Sequence, residues 1–300
     1  MTIRRPEFNW KFDLDELGEA LHSLIDEPRQ ALERIRQRLP MRRRLGLALS
    51  GGAQRGIAHV GVLSVLERER IAPDFVAGTS AGAAVGAIYC AGWSTGQMLQ
   101  LLAGMNWRKL GDPQWRINRS LGFLDGARFE GFVRDMLGDL TFEDLEIPLT
   151  VVTADLVSGE EVHISRGPLA PAVRASCALP AIFTPVEYGD RLLVDGGIVN
   201  NLPTSVLIQQ GADYTIAVNV SASTEPSHQP KHILDVLELT YRVMRRTACH
   251  TGPEADCLIM PEIGGTDILN ISNDVSRLYQ VGVDAAEEVL PQLKADLGLD

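Results

Sequence analysis

Asp74-Phe75-Val76-Ala77-Gly78-Thr79-Ser80-Ala81-Gly82-Ala83-Ala84-Val85-Gly86 is the stretch whose reading decides the fold. Residues 74–77 read as a short strand and residues 81–91 as a helix of alanine and glycine, able to pack closely. Between them lies a Gly-x-Ser-x-Gly turn, Gly78 to Gly82, of the kind that exposes a serine hydroxyl at a strand-to-helix elbow. A serine hydroxyl is a weak nucleophile without a base. The N–H groups of Ala81 and Gly82 would face Ser80, and the dipole of the helix favours a developing negative charge there.

A second strand–turn–helix lies just upstream. Residues 45–49 are apolar and end at Ser50-Gly51-Gly52-Ala53-Gln54-Arg55-Gly56, and residues 56–70 carry Ile57, Val60, Leu63 and Leu66 on one helical face. A dinucleotide fingerprint would need glycine at position 53, and a phosphate-binding P-loop would need Lys-Ser/Thr where Ile57-Ala58 stand. What remains is an anion site of backbone N–H groups at a helix start, which suits an oxyanion hole. Arg55 is a candidate fixed positive charge beside the anion or a lipid head group; its plain alternative is a surface arginine. A third motif, Asp195-Gly196-Gly197, follows a strand at residues 191–194. A carboxylate at a strand end, held by a glycine turn, is placed to reach a crevice there.

Further strands are expected at residues 148–155, 161–165, 214–220 and 257–260, and helices at 203–210, 231–250 and 272–297. Strands alternating with helices indicate an α/β fold with a mostly parallel sheet covered on both faces. Residues 1–44 read as a polar helical extension, 45–220 as the core, and 221–300 as an α/β segment completing or packing on it. Residues 93–126, with Trp93, Trp107, Trp115 and Phe123 among Gly, Pro and Arg, read either as a lid or acyl-chain wall or as a loop with a small satellite core.

The 300 residues suffice for a large core without staples. A net charge of −11 argues against nucleic acid as the partner. Residues 1–44 carry 10 Lys+Arg against 8 Asp+Glu, and six arginines fall in residues 34–44, a candidate contact for anionic lipid or a solvated helix face. Cys90, Cys177, Cys249 and Cys257 show no CxxC pair and no metal spacing with histidine, so no metal or cofactor is expected and free thiols are. With no signal-like start and no apolar run long enough to span a bilayer, the expectation is a cytoplasmic protein with peripheral membrane contact.

Ser80, Asp195 and a later histidine would match the chain order of an α/β-hydrolase triad. His228, His232 and His250 are the candidates, yet none lies beside a glycine turn or directly after a strand. His22 and His163 stand apart from the three motifs, and His59, one turn beyond Arg55, reads as a packing residue.

Taken together, the motifs resemble the patatin-like phospholipases. The resemblance runs through Leu47 to Leu63, Thr153-Ala154-Asp155-Leu156, Ala172 to Pro180, and Val194-Asp195-Gly196-Gly197-Ile198-Val199-Asn200-Asn201-Leu202-Pro203. It implies a three-layer α/β/α sandwich and a Ser–Asp dyad without histidine, acting on lipid or fatty-acyl esters through an acyl-enzyme. Carried over, Ser80 is the nucleophile and Asp195 the base, with Gly51, Gly52, Ala53 and Arg55 forming the oxyanion hole. Gly78 and Gly82 shape the nucleophile elbow, and Gly196 and Gly197 the base turn. The chemistry needs no metal, and some relatives need an activating host partner. Ala53 departs from the family's Gly-Gly-Gly-x-Arg/Lys-Gly run. If that position needs a positive φ, its Cβ costs roughly 1 kcal/mol or more, and a displaced N–H would lose about 3 kcal/mol of transition-state stabilisation. A weakly active or non-catalytic lipid-binding protein is therefore the second reading.

Overall fold

A computed structural model describes residues 43–104, 121–221, 229–249, 254–264 and 274–299. The expected helices of residues 1–42, Trp107, Trp115, His22, His228 and His250 lie outside the described residues.

The central sheet begins with β1 (Leu45–Leu49), β2 (Phe75–Thr79) and β4 (Leu149–Asp155), and continues with β5 (Glu161–Ile164), β7 (Val186–Tyr188), β8 (Arg191–Asp195), β9 (Tyr214–Val218) and β10 (Cys257–Ile259). Its order is β10-β9-β1-β2-β4-β8-β7, with β5 also paired to β4. β10, β9, β1, β2 and β4 run parallel, whereas β5 and β8 are antiparallel to β4, and β7 to β8. β3 (Gly122–Leu124) and β6 (Ala181–Phe183) form a separate parallel pair.

Strand periodicity divides the apolar residues between the two faces. Leu47, Leu49, Val76, Val151, Ile216 and Val218 join the larger core. Ala48, Ala77, Val152 and Ala217 face the other way, onto Val206 and Leu207 of α6 (Thr204–Gln209). The alanines on that face leave room for a short helix to lie close to the strands.

Over the larger face pack α1 (Ile57–Arg68), α2 (Ala81–Cys90), α3 (Thr95–Gly104), α4 (Ala127–Leu137) and α5 (Leu169–Ser176), together with α8 (Val275–Leu297). α1 and α8 cross tightly because a Cβ at Gly61 would strike the Tyr279 carbonyl, and one at Gly282 the Ala58 carbonyl. The remaining helix, α7 (Ile233–Cys249), lies against the turn that follows β8.

The mixed α/β class and mostly parallel sheet are as the sequence indicates. Within residues 93–126, whose pattern is irregular, the structure forms α3 and β3. α3 is anchored by Met98 and Leu102, both buried and four residues apart on one face.

Candidate active site

Register brings the two chemical motifs together. Thr79 lies beside Val152 in the parallel β2–β4 pair, and Asp195 lies beside Thr153 in the antiparallel β4–β8 pair. β5 occupies the other edge of β4, so β2 and β8 share one edge, and Ser80 and Asp195 meet where the two strands come end to end. Asp195 is the last residue of its strand, at a strand end as the sequence indicates, and that strand enters antiparallel to β4.

Ser80 holds φ 53° and ψ −119°. A side-chain-bearing residue at positive φ is strained, and such strain persists only where the surroundings enforce it. Here they do. The Ser80 N–H donates to Ser176 Oγ at 2.8 Å, and the Ser176 hydroxyl donates to the Val152 carbonyl at 2.6 Å. The Thr79 hydroxyl donates to the Asn200 carbonyl at 2.8 Å. At Gly78 a Cβ would stand 2.6 Å from the Gly82 carbonyl oxygen, so only glycine allows the elbow to fold this tightly. Ser80 is 8 % exposed.

Asp195 is fully buried. Its Oδ1 accepts the Gly197 N–H at 2.8 Å. A Cβ at Gly196 would stand 2.5 Å from the Val152 carbonyl oxygen, so that glycine lets the base turn lie against β4. Burial pushes the Asp195 carboxyl above the ordinary carboxylate range, opposed by the Ser80 hydroxyl, the Gly197 N–H, the Tyr241 hydroxyl and the Arg245 charge. Oδ2 has no partner in hydrogen-bond geometry. The Cys177 thiol also neighbours Ser80, and burial beside Asp195 keeps it protonated.

The glycine loop packs against the elbow. A Cβ at Gly51 would stand 3.2 Å from Ser80 Cβ, and one at Gly56 would stand 2.7 Å from Ala81 Cβ. Residues Ala53–Gly56 form a single 3-10 turn. The Gly51 N–H donates to the Asn201 carbonyl, and the Arg55 N–H to the Gly52 carbonyl, both at 3.1 Å. Those two N–H groups build the loop, whereas those of Gly52 and Ala53 make no backbone hydrogen bond among the described residues. Ala53 has φ 49°, the left-handed conformation that glycine would take at no cost. Arg55 is 2 % exposed, which excludes the surface-arginine reading.

His59 supports this loop from beneath. It is fully buried, its Nε2–H donates to the Ser50 carbonyl at 2.9 Å, and burial lowers its pKa to about 4. His163 pairs with Glu161 and is exposed, as is His232 at the start of α7. None of the three is a partner of Asp195. Among the described residues no group of three or more His, Cys, Asp or Glu could hold a metal ion.

Sequence reasoning left four contributors unassigned. Ser176 and Asn201 lie within quoted motif blocks, but their roles depend on contacts 96 and 150 residues away in the chain. Tyr241 and Arg245 carried one signal, an aromatic and a cation spaced i, i+4 on a helix.

A family model described as patatin-like phospholipase matches residues 47–208. An uncharacterized NTE family protein of Mycobacterium tuberculosis is 38% identical over 182 residues, covering 60% of this chain and 50% of that protein. The neuropathy target esterase of Drosophila melanogaster is 33% identical over 192 residues, covering 60% of this chain and 13% of that protein. The chain thus spans about half the length, or less, of these curated relatives. Among solved structures, VipD from Legionella pneumophila shares the fold with a TM-score of 0.62 at 17% identity, covering 84% of this chain and 67% of that one.

Proposed function

The chain belongs to the patatin-like phospholipase family, and from that premise we propose that it is a serine lipid acyl hydrolase working through Ser80 and Asp195. The observation that carries this reading is the strained Ser80 elbow beside a buried carboxylate that has an unpartnered oxygen. Ser80 Oγ attacks the ester carbonyl carbon while its proton passes to Asp195. The tetrahedral oxyanion accepts hydrogen bonds from the Gly52 and Ala53 N–H groups. Collapse breaks the acyl–oxygen bond, and Asp195 returns the proton to the departing alkoxide. Water, deprotonated by the same carboxylate, then attacks the acyl-enzyme; the acyl–Oγ bond breaks, Asp195 returns the proton to Ser80 Oγ, and the fatty acid leaves.

A fluorophosphonate should label Ser80, and phospholipid vesicles and short p-nitrophenyl esters should be hydrolysed. Wild-type turnover by Ser80→Ala would sink the mechanism. The histidine-triad alternative predicts a large loss on replacing His228, His232 or His250 singly; unchanged rates in all three leave the dyad. The non-catalytic lipid-binding or regulatory reading draws on Ala53 and the basic run of residues 34–44, and predicts vesicle binding without turnover.

The division into residues 1–44, 45–220 and 221–300 belongs to the same proposal, as do a cytoplasmic location and peripheral contact through the arginines of 34–44. At the edge of that run, Arg44 is engaged with Asp213, its N–H at 2.9 Å and its guanidinium at 3.6 Å. Among the described residues no helix is long and apolar enough to cross a membrane. Reversing Arg34, Arg36 and Arg38 to glutamate should weaken sedimentation with anionic vesicles; unchanged sedimentation would remove the membrane contact from the proposal.

A further inference from the structure

The inference rests on the Ser80–Asp195 reading and adds two residues to it. α7 lays its buried side against the Gly196–Ile198 turn. Tyr241 and Arg245 are one helical turn apart on that side, 8 % and 3 % exposed. Tyr241 reaches the site at Gly197. A Cβ there would stand 2.7 Å from the Tyr241 hydroxyl oxygen, 2.9 Å from Asn201 Oδ1 and 3.0 Å from Asp195 Oδ1.

Two buried polar atoms in this cluster match each other in role. The Tyr241 hydroxyl has no partner in hydrogen-bond geometry, and neither has Asp195 Oδ2. A buried donor left beside a buried acceptor is costly unless some state of the protein joins them. Arg245 lies over the Tyr241 ring, its guanidinium carbon 5.1 Å from the centroid, and its Nε is buried without a partner. Among the described residues no carboxylate forms an ion pair with it, unlike Arg242, which is bound to Glu238 at 2.6 Å. An isolated buried guanidinium is expensive to keep, and Asp195 is the carboxylate on which its charge acts.

We propose that Tyr241 and Arg245 are positioning residues for Asp195. The tyrosine donates its O–H to the carboxylate as the site closes on substrate, and the arginine supplies the buried counter-charge behind it. The groups facing Asp195 are the Ser80 hydroxyl from the β2–α2 elbow, the Gly197 N–H from its own turn, the Cys177 thiol after α5, and these two from α7. Burial beside Asp195 keeps the Cys177 thiol and the Tyr241 phenol protonated, so Arg245 is the one charged neighbour among them. Without the pair, the buried carboxyl holds its proton to higher pH and cannot take the serine's.

The test is hydrolysis of a short p-nitrophenyl ester by the full chain between pH 5.5 and 9. Wild type is compared with Tyr241→Phe, Arg245→Met and Arg245→Lys, with Ser80→Ala and Asp195→Asn as controls. Tyr241→Phe and Arg245→Met should move the acid limb of kcat/KM to higher pH, losing about tenfold in kcat at pH 6 and recovering toward pH 9, with KM unchanged. Arg245→Lys, which keeps the charge, should retain the wild-type limb. Limbs in Tyr241→Phe and Arg245→Met that coincide with wild type, while both controls are inactive, would overturn the pair and leave the dyad standing. Wild-type turnover by either control would remove the dyad and this inference with it. Should Arg245→Met not fold, the pH dependence of Ser80 labelling by a fluorophosphonate in the near-isosteric Tyr241→Phe reads the same ionisation, and an unmoved profile there also overturns the proposal.

Discussion

Ser176 accepts the backbone N–H of Ser80 at 2.8 Å from 96 residues away in the chain, and its own hydroxyl is anchored on the Val152 carbonyl. One side chain thus ties the elbow to β4, the strand along whose edge β2 and β8 bring the serine and Asp195 together. It satisfies a buried N–H that the strained turn leaves without a helical partner.

Replacing Ser176 with alanine removes that acceptor and leaves the Ser80 N–H unpaired in a buried place. Urea denaturation should show a loss of about 1–3 kcal/mol. The released turn should lower kcat while KM stays near its wild-type value, because the damage falls on the nucleophile's aim rather than on substrate contacts.

Ala53 makes a separate prediction. Its backbone already holds φ 49°, so the loop has the conformation a glycine would give, with a Cβ that costs roughly 1–2 kcal/mol there. Ala53→Gly relieves that strain but adds about 0.5–1 kcal/mol of unfolded-state entropy. Thermal melts should therefore move little, and kcat should change less than about threefold. Ala53→Val, with a β-branched side chain at positive φ, should lose both stability and activity. A large gain in Ala53→Gly would show that the alanine displaces an oxyanion donor.

The three glycine motifs were readable because each is local. Strand, turn and helix signals sit within about a dozen residues, and the residue types follow from backbone geometry. The antiparallel entry of β8 was not readable, since β7 and β8 are short and their direction is set by pairing with β4. Ser176, Tyr241 and Arg245 were hidden for a related reason. Each acts across the fold on a residue 46 to 96 positions away, and only tertiary packing creates those contacts.

His59 carries a pH signature. Its folded pKa near 4 lies below the ordinary 6.5, so the unfolded chain takes up a proton that the folded one refuses. The associated stability is fully present above pH 6.5 and is lost as pH falls toward 4. The loss amounts to about 3 kcal/mol across the window. His59→Gln, which keeps an N–H donor for the Ser50 carbonyl, should flatten this part of the stability profile in denaturant titrations from pH 7 to 4.5. An unchanged slope in the variant would assign the acid sensitivity to other groups.

Asp195 should show the opposite relation between stability and activity. Its folded pKa is raised by burial, so the folded state binds a proton more tightly than the unfolded state does. The destabilisation is absent below the ordinary carboxylate pKa and grows as pH rises toward the folded value. Asp195→Asn removes the buried charge and keeps an oxygen for the Gly197 N–H. The variant should melt higher than wild type at pH 7 yet lose roughly 10²- to 10⁴-fold in kcat, the usual share of a general base. At pH 4 the two melting temperatures should converge. A variant no more stable than wild type at pH 7 would mean that the carboxylate is fully compensated in the resting site, and that the unpartnered Oδ2 costs the fold nothing.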